Sequence, residues 1–320
     1  MSEQRLAVKG FEPADAASWD AFVADALNGT FLHTRRFLGY HEQRFQDCSL
    51  LVVDESGRLV GVLPAAVGRE SGFVDSHPGL SYGGLVHTGE LVGERALEAF
   101  ERIQRHYRER GYTRLRYRAI PRPYYQVPLD DDSYALFRLN AQRTRVDLSA
   151  GFALEARREA SELRARELKK AAKQGVSSEP RSTAWPEFWQ VLEGVLAERH
   201  SARPVHSLQE ITRLVALFPD EIELIVARRE NTLVAGTVVF YAGNVAHTQY
   251  LATSASGRDV GALTQVVETA ISRAATRHCT WFSLGTSNED AGRVLNAGLY
   301  RWKLSFGASG VVHETFELPL

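Results

Sequence analysis

The sequence predicts an α+β protein: two tandem domains of one kind, each a mixed central β-sheet flanked by helices. Three observations predict it. A strand–turn–strand pattern occurs in each half of the chain, at Leu50–Val67 and Leu224–Tyr241. A further strand, a long amphipathic helix and another strand follow each hairpin. Helical stretches precede both hairpins. One repeat of this size means paired domains rather than a solenoid.

The first hairpin, LLVVDESGRLVGVLPAAV, turns at Ser56-Gly57. The second, LIVARRENTLVAGTVVFY, turns at Glu230-Asn231, and Glu230 and Gly236 align with Glu55 and Gly61 at one offset. Apolar residues at three- and four-residue spacing mark helices over Gly93–Gly111 and Gly257–His278. Each runs into a strand, TRLRYR in the first half and TWFSLG in the second. The preceding helices are read at Pro13–Leu27 and Thr34–Arg44, and at Trp185–Arg199 and Ser207–Leu217. Pro186 occupies a first turn, where a missing N–H costs little, and Ser207 with Glu210 spells a capping box. The domain boundary is placed at Ala150-Gly151, giving domains 1–150 and 151–320, the second proposed to bind the donor and hold the catalytic residues. Beyond the boundary, Glu155–Gly175 is a charged helical segment that stops at Gly175.

Composition narrows the function classes. An apolar fraction of 44% and a charged fraction of 24% over 320 residues are globular values. A formal net charge of −1 supplies no global field toward DNA or an anionic membrane. Cys48 and Cys279 have no metal-ligand spacing, and both read as buried thiols of a reducing compartment. The N-terminus lacks an apolar signal core, and no apolar run reaches ~18 residues, the span of a membrane helix. A soluble cytoplasmic protein without a metal is expected.

The order of elements, with SELRARELKKAAKQGV opening the second half, resembles the GCN5-related N-acetyltransferase (GNAT) fold in tandem, as in the FemAB-like acyltransferases. HPGLSYGGLV (77–86), AIPRPYYQVP (119–128), RPVHSLQEI (203–211), AHTQYLATSASGRDVGAL (246–263) and the stretch from Trp281 to Gly310 resemble the BioF2-like acetyltransferase branch of that family. The resemblance implies an N-acyltransferase. Its acceptor is the amine of a small molecule or sugar precursor, and its donor is acyl-CoA or, alternatively, aminoacyl-tRNA. A binding module that retains the fold without catalysis is the remaining alternative. The GNAT pyrophosphate loop, Q/R-x-x-G-x-G/A, maps onto Arg258, Gly261 and Ala262, with Leu263 departing from the pattern and Asp259 adding a negative charge. In the aminoacyl-tRNA-dependent relatives an aromatic-lysine pair before Phe-Gly stabilises the transition state. Trp302-Lys303 before Phe306-Gly307 resembles it, so Lys303 is the residue expected to meet the oxyanion.

Other candidates come from the residues themselves. Asn244–Thr253 reads as a strand whose alternation sets His247, Gln249 and Leu251 on one face and Thr248, Tyr250 and Ala252 on the other. His247 suits a general base, or a hydrogen-bonded place in the sheet. Tyr250 suits a proton donor to the leaving group, or packing. His206 is in a loop that can face a cleft. Tyr82 and Tyr124 suit stacking on a substrate, or packing. Ser287 and Asn296 suit substrate hydrogen bonds, with a helix cap as the plainer reading of Ser287. That cap is assigned to a helix at Glu289-Asp290, and Trp302–Phe306 is read as a returning strand.

Overall fold

The computed structural model describes residues 6–200 and 202–320. These form two compact units. One holds the chain up to Leu148 with 288–294 and 312–320; the other holds 149–287 and 295–311.

Unit 1 opens with β1 (Ala7–Gly10), α1 (Ala16–Asp25) and α2 (Arg35–Leu38). The first expected hairpin follows as β2 (Leu50–Val53) and β3 (Leu59–Leu63), with Gly57 at φ +82 in its turn. Next come β4 (Ala66–Val67), β5 (Phe73–Asp75) and β6 (Val86–His87). The strands β1, β2, β3 and β6 pair antiparallel in that order. The long helix α3 spans Glu94–Arg108 and runs into β7 (Arg114–Arg118); α4 (Asp131–Arg138) comes after. Ala96, Ala99, Phe100, Ile103 and Tyr107 form the buried stripe of α3 and are why it is a helix. Truncating Phe100, at the centre of that stripe, to Ala costs ~3–5 kcal/mol. β5 lies parallel to β7, and β7 pairs antiparallel with the C-terminal residues Thr315–Pro319.

The division between units falls inside two strands, β8 (Gln142–Ala153) and the final strand. Unit 2 continues with α5 (Glu162–Lys173), β9 (Val176–Glu179), α6 (Trp185–His200) and α7 (Leu208–Leu217). The Ser207–Glu210 capping box forms as expected. The second hairpin is β10 (Ile222–Arg229) and β11 (Thr232–Ala242), followed by β12 (Val245–Thr253). The expected helix after it is broken in two: α8 (Ala255–Asp259) and α9 (Ala262–Thr276), with Gly261 left-handed at φ +75 between them. β13 (Trp281–Thr286), the short strands β14 (Asn288–Glu289) and β15 (Val294–Leu295), α10 (Ala297–Leu304) and β16 (Ser309–Pro319) complete the chain. The sheet of unit 2 runs β9-β10-β11-β12-β13-β8, antiparallel throughout except for the parallel β12–β13 pair. Ala270, Ala274 and Val267 of α9 pack against Ala246, Phe282 and Leu284, a small-against-large fit that seats the helix close to the sheet.

Three expectations are corrected. Glu289-Asp290 begins no α-helix: Asp290–Gly292 form a single 3-10 turn, all three residues at positive φ, which joins β14 to β15. Trp302–Lys303 lies on a helix, α10, and not on a strand. Cys48 and Cys279 are half-buried rather than buried, and both are free thiols; burial pushes Cys48 up to about 12, which keeps it protonated and unreactive. No helix among the described residues is long and apolar enough to cross a membrane.

Candidate active site

Lys303, His247 and Ser283 come together around Gly285, where β12 and β13 separate. The parallel pair is in register at Val245–Trp281, Ala246–Phe282 and His247–Ser283. The register ends there, although β12 continues to Thr253 and β13 to Thr286. On its other side β13 pairs with β8, and between Ser283 and Thr286 it carries one residue more than the Gly151–Ser149 segment opposite. Gly285 absorbs that bulge at φ +75, a conformation that suits glycine.

The bulge turns two carbonyls onto Lys303. Its Nζ donates to Gly285 O at 2.9 Å and to Thr286 O at 2.6 Å. Asn296 caps α10, its Oδ1 accepting from Leu299 N at 3.0 Å, and so fixes where the helix starts and where Lys303 falls. Lys303 is 5% exposed, and no carboxylate among the described residues pairs with it. Burial pulls its pKa down to about 8. An ammonium has three N–H donors. Two are engaged, which leaves one for an oxygen brought to the site.

His247 adjoins the same glycine. A Cβ placed on Gly285 lies 3.4 Å from His247 Cε1. His247 Nδ1 is 3.1 Å from Ser283 Oγ, and Gly285 N donates to that same oxygen at 3.3 Å. Lys303 and His247 therefore flank one bulged residue.

The expected alternation along β12 is also corrected. Val239 is opposite Thr248 and Val238 opposite Tyr250, so Gln249 is an extra residue. One extra residue inverts the faces beyond it. Tyr250 thereby shares the face of His247. There its ring meets Trp189 of α6 edge-on, with centroids 5.3 Å apart. Its hydroxyl accepts from His206 N at 3.2 Å and is 2.6 Å from His206 Nδ1. Burial raises the Tyr250 pKa, which favours the neutral phenol.

The remaining candidates divide. Ser287, 2% exposed, has its Oγ buried without a hydrogen-bond partner among the described residues, immediately after the Thr286 carbonyl that holds Lys303. Trp302 is half-buried against Phe306, with ring centroids 5.0 Å apart. Tyr82 and Tyr124 are buried in unit 1 with centroids 4.4 Å apart, and Tyr82 donates to Thr30 Oγ1; this is packing and presents no open face to a substrate. Arg258 donates to Thr253 O at 3.1 Å, and Ala262 is fully buried. Glu167 of α5 reaches the first turn of α9, where it accepts from Thr264 Oγ1 at 2.5 Å. Arg164 pairs with the same carboxylate at 2.6 Å. A Cβ on Gly261 meets Glu167 O at 2.7 Å, so glycine is needed there for the close approach of α5. The helix N-terminus that the family resemblance assigns to pyrophosphate thus faces a carboxylate of the chain itself. No group of three or more metal-ligating side chains exists among the described residues.

Sequence reasoning missed Ser283 and Glu167. Ser283 carried one visible signal, a hydroxyl in the otherwise apolar strand WFSLG. Glu167 carried none, because its role depends on how α5 packs on α9.

Residues 156–303 match the family model described as an acetyltransferase (GNAT) domain. Among solved structures, the chain is similar to FemX, with a TM-score of 0.70 at 13% identity, covering 98% of this chain and 97% of that one. It is also similar to L-PGS from Bacillus licheniformis, with a TM-score of 0.56 at 10% identity and coverage of 88% and 90%. A third neighbour is a tandem GNAT protein from the clavulanic acid biosynthesis pathway, at 0.54, 12% identity and 98% of both chains. No curated protein sequence matches the chain. Residues 156–303 therefore carry a GNAT-type acetyltransferase domain, and the likeness to FemX and to the tandem GNAT protein is one of fold.

Proposed function

We propose that the protein is an N-acyltransferase that works at Lys303, taking its acyl group from aminoacyl-tRNA and delivering it to the amine of a small molecule or sugar precursor. Lys303 carries the chemical half of this reading. A buried ammonium, fixed by two carbonyls and without a carboxylate partner among the described residues, is a preorganised donor for the oxygen that becomes negative in the tetrahedral intermediate. The exposed face of α5 carries the donor half. Arg166, Lys169, Lys170 and Lys173 recur along one helix face, all exposed, and none pairs with a carboxylate among the described residues. Such a stripe suits a phosphate backbone. Arg157 and Arg164 of the same segment are instead committed to Glu268 and Glu167. Ser287 and His206 are the acceptor contacts in this reading, Tyr250 the group beside the leaving atom, and Trp302 the wall next to Lys303.

Acyl-CoA is the second donor reading, favoured by the acetyltransferase description of the matching family model. It requires the pyrophosphate to displace Glu167 from α9 or to bind elsewhere. Thermal shift with each donor tests the pair, since a ligand that binds the native state raises the melting temperature. Stabilisation by aminoacylated tRNA and none by acetyl-CoA is expected; the reverse pattern overturns the donor assignment.

A further inference from the structure

We propose that Arg157 is a positioning residue for acyl transfer: by joining α9 to the end of α10 it fixes where Lys303 presents its ammonium. This rests on the reading of Lys303 as the oxyanion donor.

Lys303 lies in the last turn of α10, one residue before its end at Leu304. The bulge in β13 holds its Nζ through the Gly285 and Thr286 carbonyls. A long side chain is placed only as well as the element that carries it. The exit of α10 closes on itself first: Ser305 N donates to Arg301 O at 3.1 Å, Phe306 N to Lys303 O at 3.2 Å and Gly307 N to Leu304 O at 3.0 Å. The next carbonyls are taken by the segment that leads into α5. Ser161 N donates to Ser305 O at 2.9 Å, Arg157 Nε to Phe306 O at 3.0 Å, and Arg158 Nη2 to Ala308 O. Gly307, at φ +87, permits this approach, since a Cβ there would collide with the Arg158 carbonyl.

Arg157 also reaches a third element. Its Nη1 and Nη2 donate to the two carboxylate oxygens of Glu268 on α9, at 2.8 and 2.5 Å. Its guanidinium carbon lies 5.2 Å from the centroid of the Phe152 ring. Val267, next to Glu268, seats α9 on the sheet together with Ala270 and Ala274. The planar fork therefore refers the end of α10 to a packed helix. A lysine ammonium at 157 keeps the charge but not the fixed angles between the two partners. Arg157 touches no reacting atom and exchanges no proton, so its effect passes through Lys303. The same segment runs into α5, so the helix proposed to receive the donor and the residue proposed to meet the oxyanion share one anchor.

Two measurements test this. The first is amide hydrogen exchange of the ligand-free protein. Arg157→Lys should speed exchange at Ser305, Phe306 and Gly307 roughly tenfold, with β11 unchanged. Unchanged exchange at 305–307 overturns the proposal. The second is transfer from aminoacylated tRNA to hydroxylamine as the probe amine, above the uncatalysed rate. Arg157→Lys should lower kcat roughly 10–10²-fold, the cost of a misplacement of about 1 Å, with KM unchanged. In a Lys303→Ala background the same substitution should change kcat less than about twofold. An undiminished kcat in Arg157→Lys, or an equal loss in both backgrounds, overturns the proposal, because Arg157 then does not act through Lys303. If Arg157→Lys does not fold, Glu268→Gln decides both measurements by the same outcomes. A wild type that transfers nothing, or a Lys303→Ala variant as fast as the wild type, sinks the reading of the site. The exchange result stands apart from that failure, so the two are distinguishable.

Discussion

In the proposed function Lys303 is the single side chain on which most depends. Lys303→Ala should lower kcat by roughly 10²–10³-fold, the usual cost of losing one oxyanion donor, with a smaller effect on KM. Because only the ammonium can stabilise an oxyanion, kcat in the wild type should fall as the pH rises through about 8. Lys303→Arg, which stays charged, should shift that fall to higher pH if the guanidinium fits; the pH–rate profile reads both. Stability carries the same signature with a defined sign. The folded pKa is about 8 against an ordinary 10.5, so between those values the unfolded chain binds the proton more tightly. Stability therefore rises with pH across that window, and below it the full desolvation penalty is present. Chemical denaturation of the wild type and Lys303→Met in parallel should show the wild type gaining on the variant from pH 8 to 10.5.

At the scale of elements, the proposed function rests on the bulge in β13 and the stripe on α5. Gly285→Ala forces a Cβ onto a residue at φ +75, which should cost at least ~1 kcal/mol in denaturant titration and turn the two carbonyls away from Lys303. Lys169→Glu with Lys170→Glu should weaken tRNA binding and flatten its salt dependence by about one unit per lost phosphate contact. How legible each element was follows from the same physics. The hairpins at 50–67 and 224–241 and the long helices α3 and α6 could be read because periodicity and turn residues are local signals. Two one-residue bulges were invisible, since a bulge is a relation between strands. One placed Tyr250 on the face of His247, and the other brought the Gly285 and Thr286 carbonyls to Lys303. The segment after Thr286 was misread for a related reason. Asp290 and Ala291 adopt the left-handed region without being glycine, so nothing in their identity announced a hairpin. Lys303 itself was found by resemblance, whereas its helix, its carbonyl partners and its burial came only from packing.

For the whole molecule, the proposed function is an acyltransferase in which the unit holding residues 149–287 and 295–311 supplies the chemistry and the charged helix α5 takes a large polyanionic donor. Its net charge of −1 leaves that attraction local to α5, so donor binding should be more salt-sensitive than the chain's overall charge suggests. Equilibrium binding of aminoacylated tRNA and of acetyl-CoA to one preparation, at low and at physiological salt, tests this most directly. The account predicts tRNA binding that weakens steeply with salt and is diminished by Lys169→Glu with Lys170→Glu, with acetyl-CoA failing to bind at either salt. Tight, salt-insensitive acetyl-CoA binding with no affinity for tRNA would contradict it.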